Sequence, residues 1–159
     1  MATIKQKNIG DKQFGGFTPY GNLTTLRATL LTNAAGAVIN SDSAAAIAVG
    51  DVVVLEKLPE GFLLEDAQVI VSTGMTATAT GSLGFIYADG VDSTEVPQDA
   101  AYFGTGLDAA TAARIRTASS KAPVRLAKEA FLVWTHAGAA NAKASRIDVI
   151  VHGERMGPN

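Results

Sequence analysis

An all-β fold, an antiparallel sandwich or small barrel, is what this chain of 159 residues predicts. Three observations carry that expectation. Apolar residues recur with period two in several short runs, turn residues separate those runs, and no run has the length and 3.6-residue period of a helix that could cover a parallel sheet. The composition fits thin layers: 47% hydrophobic, but only 6% aromatic, with a single Trp and 16 Gly. The length suits one domain with its own core rather than two.

Residues 1–22 stand apart, because Gly10, Gly15, Gly16, Pro19 and Gly21 punctuate a polar stretch whose aromatics are Phe14, Phe17 and Tyr20. No period there sustains a helix or strand. The segment is expected to be an extended N-terminal arm whose aromatics dock on a neighbouring subunit, since they have no core of their own to fill. The domain proper then spans residues 23–159, and deleting residues 1–22 is expected to leave its melting nearly unchanged.

From residue 25 to 31, Leu26, Ala28 and Leu30 fall on one face and Thr25, Arg27 and Thr29 on the other, the signature of a half-buried strand. Asn33, Gly36 and Asn40 mark turns. Residues 52–58 are rich in β-branched side chains, Pro59-Glu60-Gly61 is a turn, and residues 63–71 carry Ala67, Val69 and Val71 opposite Asp66 and Gln68. These two runs are expected to be neighbouring strands. Residues 82–87 group Leu83, Phe85 and Tyr87, followed by a polar loop from Asp89-Gly90. Asp108 is expected to N-cap one short helical insert through Ala109, Ala112 and Ile115. Residues 131–135 alternate again, and residues 146–151 alternate most regularly, with Ile147, Val149 and Val151 against Arg146 and Asp148.

Charge excludes one class of partner. With 13 Lys+Arg against 15 Asp+Glu the formal net charge is -2, and no basic cluster exists to neutralise phosphates, so direct nucleic-acid binding is not expected. The opening residues have no apolar run behind them, and the longest apolar stretches, residues 44–55 and 131–134, break well short of the roughly 20 residues of a spanning helix, so no membrane partner is expected. With no cysteine, thiolate catalysis, disulfides and cysteine metal sites are all excluded.

Chemistry-bearing motifs are weak. Gly104-Thr105-Gly106-Leu107-Asp108-Ala109 matches the GxGxxA of a dinucleotide-binding turn, but it lacks the βαβ unit that would aim a helix N-terminus at a pyrophosphate, so it is expected to be a plain loop. Asp89, Asp92, Glu95 and Asp99 supply oxygens without the ligand order of an EF-hand, which makes a solvated acidic loop the expectation and a structural divalent cation the alternative. His136 and His152 have no ligand companions at useful spacing, and no GxSxG elbow occurs. No catalytic, cofactor or metal residues are therefore assigned, and the protein is expected not to be an enzyme. An enzymatic role would require the Gly104 loop or His136 to matter.

An ordered set of segments, rather than a catalytic motif, links the chain to a known group. Residues 50–62 form a strand ending in Leu58-Pro59; residues 64–71 form a second strand; residues 81–90 form a Gly-Phe strand with an Asp89-Gly90 turn; Tyr102-Phe103, Val133-Trp134-Thr135 and the closing strand 147–151 follow. From about residue 23 onward this resembles the small jelly-roll cement, or decoration, proteins of tailed bacteriophage capsids. The resemblance implies a jelly-roll-like antiparallel β-sandwich that is made in the host cytoplasm and sits on the outer surface of the virion capsid. It implies binding at a symmetry axis as a homodimer or homotrimer, bridging adjacent major capsid protein subunits against the pressure of packaged DNA. Many weak contacts repeated by symmetry add up through avidity. The family's contact residues do not transfer, so the partner-binding residues are chosen from this chain alone: Phe14, Phe17 and Tyr20 as arm anchors, Tyr102 and Phe103 as an exposed loop anchor, with core filling the alternative for the last two. The rival role is a tail, fibre or baseplate subunit for host recognition or appendage assembly; the lone Trp134 and scattered tyrosines offer it little of a sugar-binding surface.

Overall fold

The computed structural model describes residues 1–7 and 23–157. Ten strands run in chain order: β1 (Thr3–Lys5), β2 (Leu23–Thr32), β3 (Val52–Leu58), β4 (Phe62–Thr73), β5 (Thr80–Tyr87), β6 (Asp99–Asp108), β7 (Ala113–Arg116), β8 (Val124–Arg125), β9 (Ala130–Ala137) and β10 (Ser145–Arg155). They form two sheets, ordered β1-β3-β9-β5-β6 and β2-β10-β4-β7, with β8 pairing β4 beside the second. All pairings are antiparallel except β1 with β3.

Alternation is what makes two faces pack. On β10, Ile147, Val149 and Val151 are buried to within 1% while their neighbours face outward, and they pair across β4 with Val71, Val69 and Ala67. From the first sheet Val53, Leu83, Phe85, Leu132 and Trp134 point into the same cluster, so one core joins the two layers. Burying side chains of this size stabilises by roughly 1.5–3 kcal/mol each. The expected all-β class and the inward sets of β2, β4 and β10 are what the structure contains.

Four expectations change. The two runs flanking Pro59-Glu60-Gly61 are not neighbours: β3 belongs to one sheet and β4 to the other, so the turn carries the chain across the sandwich. A turn signal marks a reversal without saying whether the second strand bonds to the first or crosses the core. The helical insert is absent. Asp108 Oδ1 does accept from the Ala110 and Thr111 amides, at 2.8 and 3.2 Å, as an N-cap would, but the chain then extends as β7 and pairs with β4 from Ala113↔Val71 to Arg116↔Gln68. A local cap bond is shared by Asx turns and helix starts, and the open edge of β4 decides between them.

The opening residues are not outside the sheets. Thr3–Lys5 pair in parallel with Val52–Val54, Ile4 is only 1% exposed, and the Ala2 amide donates to Asp51 Oδ1 at 2.8 Å. The boundary expected at Asn22 therefore does not separate domain from arm, because residues 1–7 belong to the sandwich. Tyr102 and Phe103, expected on an exposed loop, lie in β6 and are buried, as the next section describes.

Candidate functional site

The residues singled out from sequence scatter. Phe14, Phe17 and Tyr20 lie outside the described residues. Tyr102 and Phe103 are 5% and 2% exposed and stack edge to face, with ring centroids 4.9 Å apart and Tyr102 5.6 Å from Phe85. The Tyr102 hydroxyl donates to the Ala122 carbonyl at 2.8 Å, and burial raises its pKa. The cause is a large bulge: Leu83 pairs with Gly104 and Phe85 with Asp99, so the single residue Gly84 faces the four residues between. A Cβ on Gly84 would lie 2.1 Å from the Asp99 carbonyl oxygen. Only glycine admits that crossing, which turns both rings inward. Neither ring is an exposed anchor; both fill the core.

The Gly104–Ala109 motif is part of β6 and its exit rather than a phosphate-cradling turn. The acidic loop is tied up within the protein. Asp89 accepts from Lys128 at 2.7 Å, which lowers its pKa; Asp92 accepts from the Gln98 amide at 2.7 Å; and Asp99 pairs with Lys121 at 3.1 Å. No group of three or more potential metal ligands occurs among the described residues.

The two histidines are held in different sheets. His152 lies on the outer face of β10, with Nδ1 3.2 Å from the Thr25 hydroxyl. His136 points into the sandwich from β9, 1% exposed, with Nε2 2.8 Å from the Ala139 carbonyl; that oxygen can only accept, so Nε2 carries the proton. Nδ1 is buried with no hydrogen-bond partner, and desolvation lowers the pKa against the opposing pull of the Ala139 carbonyl and the Asp51 carboxylate. No serine nucleophile joins either ring among these contacts: the Ser119 hydroxyl accepts from the Lys121 amide in a local turn. A cleft of about 430 Å³ opens beside the acidic loop, its apolar wall made by Val96, Pro97, Ala122 and Val124 and its polar side by Glu95, Tyr102 and the Asp99–Lys121 ion pair.

The outward faces differ sharply in chemistry. Since Val53, Trp134, Leu83 and Phe85 point inward, their alternates on the first sheet point out. One cross-strand row is Val52, Thr135 and Ser82, a second is Val54, Val133 and Gly84, and a third is Lys57, Phe131 and Ile86. Val54 and Val133 are fully buried although they face outward. Charge reaches this face at the rim: Lys57 pairs with Glu129 at 2.7 Å, and the Lys5 ammonium lies 5.8 Å from the centre of the Phe131 ring. The second sheet's outer face carries more charge, with Arg116–Asp66 at 2.7 Å, Arg146–Asp148 at 2.9 Å and Arg114 bonded to Gln68 at 3.0 Å, and the half-buried Ile70 and Ile150 among them.

Sequence reasoning did not single out the first sheet's outer face. The signal was available: the positions of residues 82–86 and 131–135 that alternate away from the core carry Ser, Gly, Ile, Phe, Val and Thr, whereas those of 146–152 carry Arg, Asp, Ile and His.

No family model matches the chain, and no curated protein matches it. The fold is similar to that of a chain in the capsid of Ralstonia phage GP4, at 14% identity and a TM-score of 0.65, covering 98% of this chain and 99% of that one. It is also similar to a chain of the cyanophage Pam1 capsid asymmetric unit, at 14% identity and a TM-score of 0.57, covering 89% and 91%. At such identities the likeness is one of fold.

Proposed function

We infer that this protein is a non-enzymatic structural component of a phage virion, binding the outer surface of the capsid and cementing adjacent major capsid protein subunits. The observation that carries this is the likeness over nearly the whole of both chains to a component of a phage capsid. A polypeptide of about this size and shape thus occurs as a capsid chain in its own right, the size expected of an auxiliary subunit. Strand order supports a jelly roll. Leaving out β1 and β8, the eight remaining strands form two four-stranded paths, β2-β10-β4-β7 and β3-β9-β5-β6, each drawing strands alternately from early and late in the chain. Paired Greek keys of eight strands are the jelly-roll arrangement, frequent in viral capsid domains. Homodimeric or homotrimeric association at a symmetry axis belongs to the same proposal.

Co-sedimentation tests it. Purified protein is mixed with unexpanded and expanded shells of its source phage that lack it. Saturable binding to expanded shells is expected; absence of binding to either kind overturns the cement role and brings the tail, fibre or baseplate role forward.

A further inference from the structure

We propose that the cleft beside the acidic loop receives an arginine flanked by apolar residues, carried on a segment of an adjoining capsid subunit. This rests on the proposed capsid role and adds where the partner is gripped and by what chemistry.

Two connections form the cleft, residues 88–98 between β5 and β6 and residues 117–123 between β7 and β8, over a floor that includes the Phe85 and Tyr102 rings. Its walls are already bonded in place. The Tyr87 hydroxyl donates to the Val96 carbonyl at 2.6 Å and Asp92 accepts from the Gln98 amide at 2.7 Å, which fixes the first connection. The Tyr102 hydroxyl donates to the Ala122 carbonyl at 2.8 Å and Asp99 pairs with Lys121 at 3.1 Å, which ties the second connection to β6. A site ordered in advance loses little conformational freedom on binding. Its volume of about 430 Å³ falls in the roughly 300–1,000 Å³ range of binding pockets.

Charge then selects the occupant. Lys121 matches Asp99, so that pair adds no net charge, and the sign of the site is set by Glu95. Glu95 is exposed, and it alone of the carboxylates from Asp89 to Asp99 has no partner among the described residues. An anion would have to draw Lys121 away from Asp99 and leave two carboxylates facing it. A cation on an apolar stem suits both sides at once: the stem lies along Val96, Pro97 and Val124, and the head meets Glu95. Arginine fits better than lysine, because a guanidinium is more weakly hydrated than an ammonium and lies flat against an apolar wall.

Peptide titration and shell binding test this together. Blocked tripeptides with leucine at both ends and arginine, norleucine or glutamate in the middle are added to the isotopically labelled protein, and the methyl signals of Val96 and Val124 are followed. The arginine peptide is expected to shift both saturably, with a dissociation constant of about 1 mM. The norleucine peptide should bind about threefold more weakly and the glutamate peptide at least about tenfold more weakly. Glu95→Lys alters an exposed, unpartnered side chain, so it should melt like the unaltered protein while reversing the order of the arginine and glutamate peptides. Ala122→Phe, which fills the cleft, should weaken all three. Glu65→Lys, the same charge change at an exposed position of β4, is the control and should keep the original order. In co-sedimentation with expanded shells lacking the protein, Glu95→Lys is expected to lose at least about fivefold in affinity and Glu65→Lys to stay within about twofold.

No shift at about 10 mM of the arginine peptide, equal binding of the arginine and glutamate peptides, or shell binding untouched by Glu95→Lys overturns the proposal. Self-association of the free protein that Glu95→Lys abolishes also overturns it and makes a second copy the occupant. Arginine-peptide binding by a protein that fails to bind shells strikes the capsid role, and with it the capsid subunit as occupant, while the chemistry of the cleft stands.

Discussion

The β10–β4 pair and the β5–β6 pair hold the molecule together by different means. In the first, side chains decide: ten residue pairs run from Arg146↔Thr73 to Arg155↔Phe62, and every second side chain between residues 147 and 151 enters the core. In the second, the lack of a side chain decides: Gly84 lets the Asp99–Ala101 backbone cross close above β5, and Tyr102 and Phe103 turn inward together. A region built on alternation is broken by a wrong side chain on the inner face. A region built on close backbone approach is broken by adding a single methyl group.

The largest expected effect tests the first region. Val149→Asp places a carboxylate where exposure is 1% and both neighbouring strands are paired, with no cation on that face among its core neighbours. A loss of about 4 kcal/mol or more is expected, which abolishes the cooperative melting transition. A transition like that of the unaltered protein would mean that the inward face of β10 is misassigned.

Gly84→Ala tests the second region. The added Cβ would stand 2.1 Å from the Asp99 carbonyl oxygen and 2.4 Å from the Ala100 carbonyl carbon, and backbone cannot swing aside as a side-chain tip can. A cost of about 3 kcal/mol follows from forced overpacking, and near-ultraviolet circular dichroism should report disturbed Tyr102 packing. A melting temperature unchanged within error would show that the bulge is not set by close approach.

Ile4→Ala extends the contrast to β1, which has the burial of the first region without its length. Removing most of a 1% exposed side chain from a three-residue edge strand should cost about 2 kcal/mol, at the lower end of such core truncations. Chemical denaturation with an unaltered slope checks it. No change in stability would return residues 1–7 to the status of a dispensable arm.

The same contrast explains what the sequence made legible. Period two over residues 25–31, 67–71 and 147–151 gave the inward sets of β2, β4 and β10, because alternation and burial are the same fact seen in one dimension and in three. Ile4 was invisible for the opposite reason: one apolar residue in a three-residue strand has no period to display. Tyr102 and Phe103 are adjacent and both buried, which alternation forbids, and only the far-off Gly84 permits it. Asp108 made its cap bonds as expected, yet whether those amides begin a helix or a turn was settled by an unpaired edge of β4 some forty residues away in sequence. Of the candidate binding residues, two proved to be core and three fall outside the described residues. The burial of Val54 and Val133 was missed because alternation consigns their side of the sheet to solvent.

The smallest expected effect concerns acid. His136 sits on β9, the strand beside β5, and burial lowers its pKa in the folded protein below the usual value near 6.5. Between those two values the unfolded chain binds the extra proton and the folded one does not, so stability falls as pH falls through about 6.5 and is independent of this group above about pH 7.5. Asp89, Asp108 and Asp148 have lowered pKa values, so their contributions are present above the ordinary carboxylate range and are lost as pH falls through their depressed folded values, which keeps them out of a window above pH 5. Melting between pH 7.5 and 5.5 should therefore show a shallow decline that His136→Gln flattens, the glutamine amide replacing the Nε2 donor to the Ala139 carbonyl. Equal slopes for the two proteins would mean that the Asp51 carboxylate offsets desolvation and that His136 protonates alike in both states. The burial of β9 would then carry no proton linkage, and its polar end would behave like an open surface rather than like the core beside it.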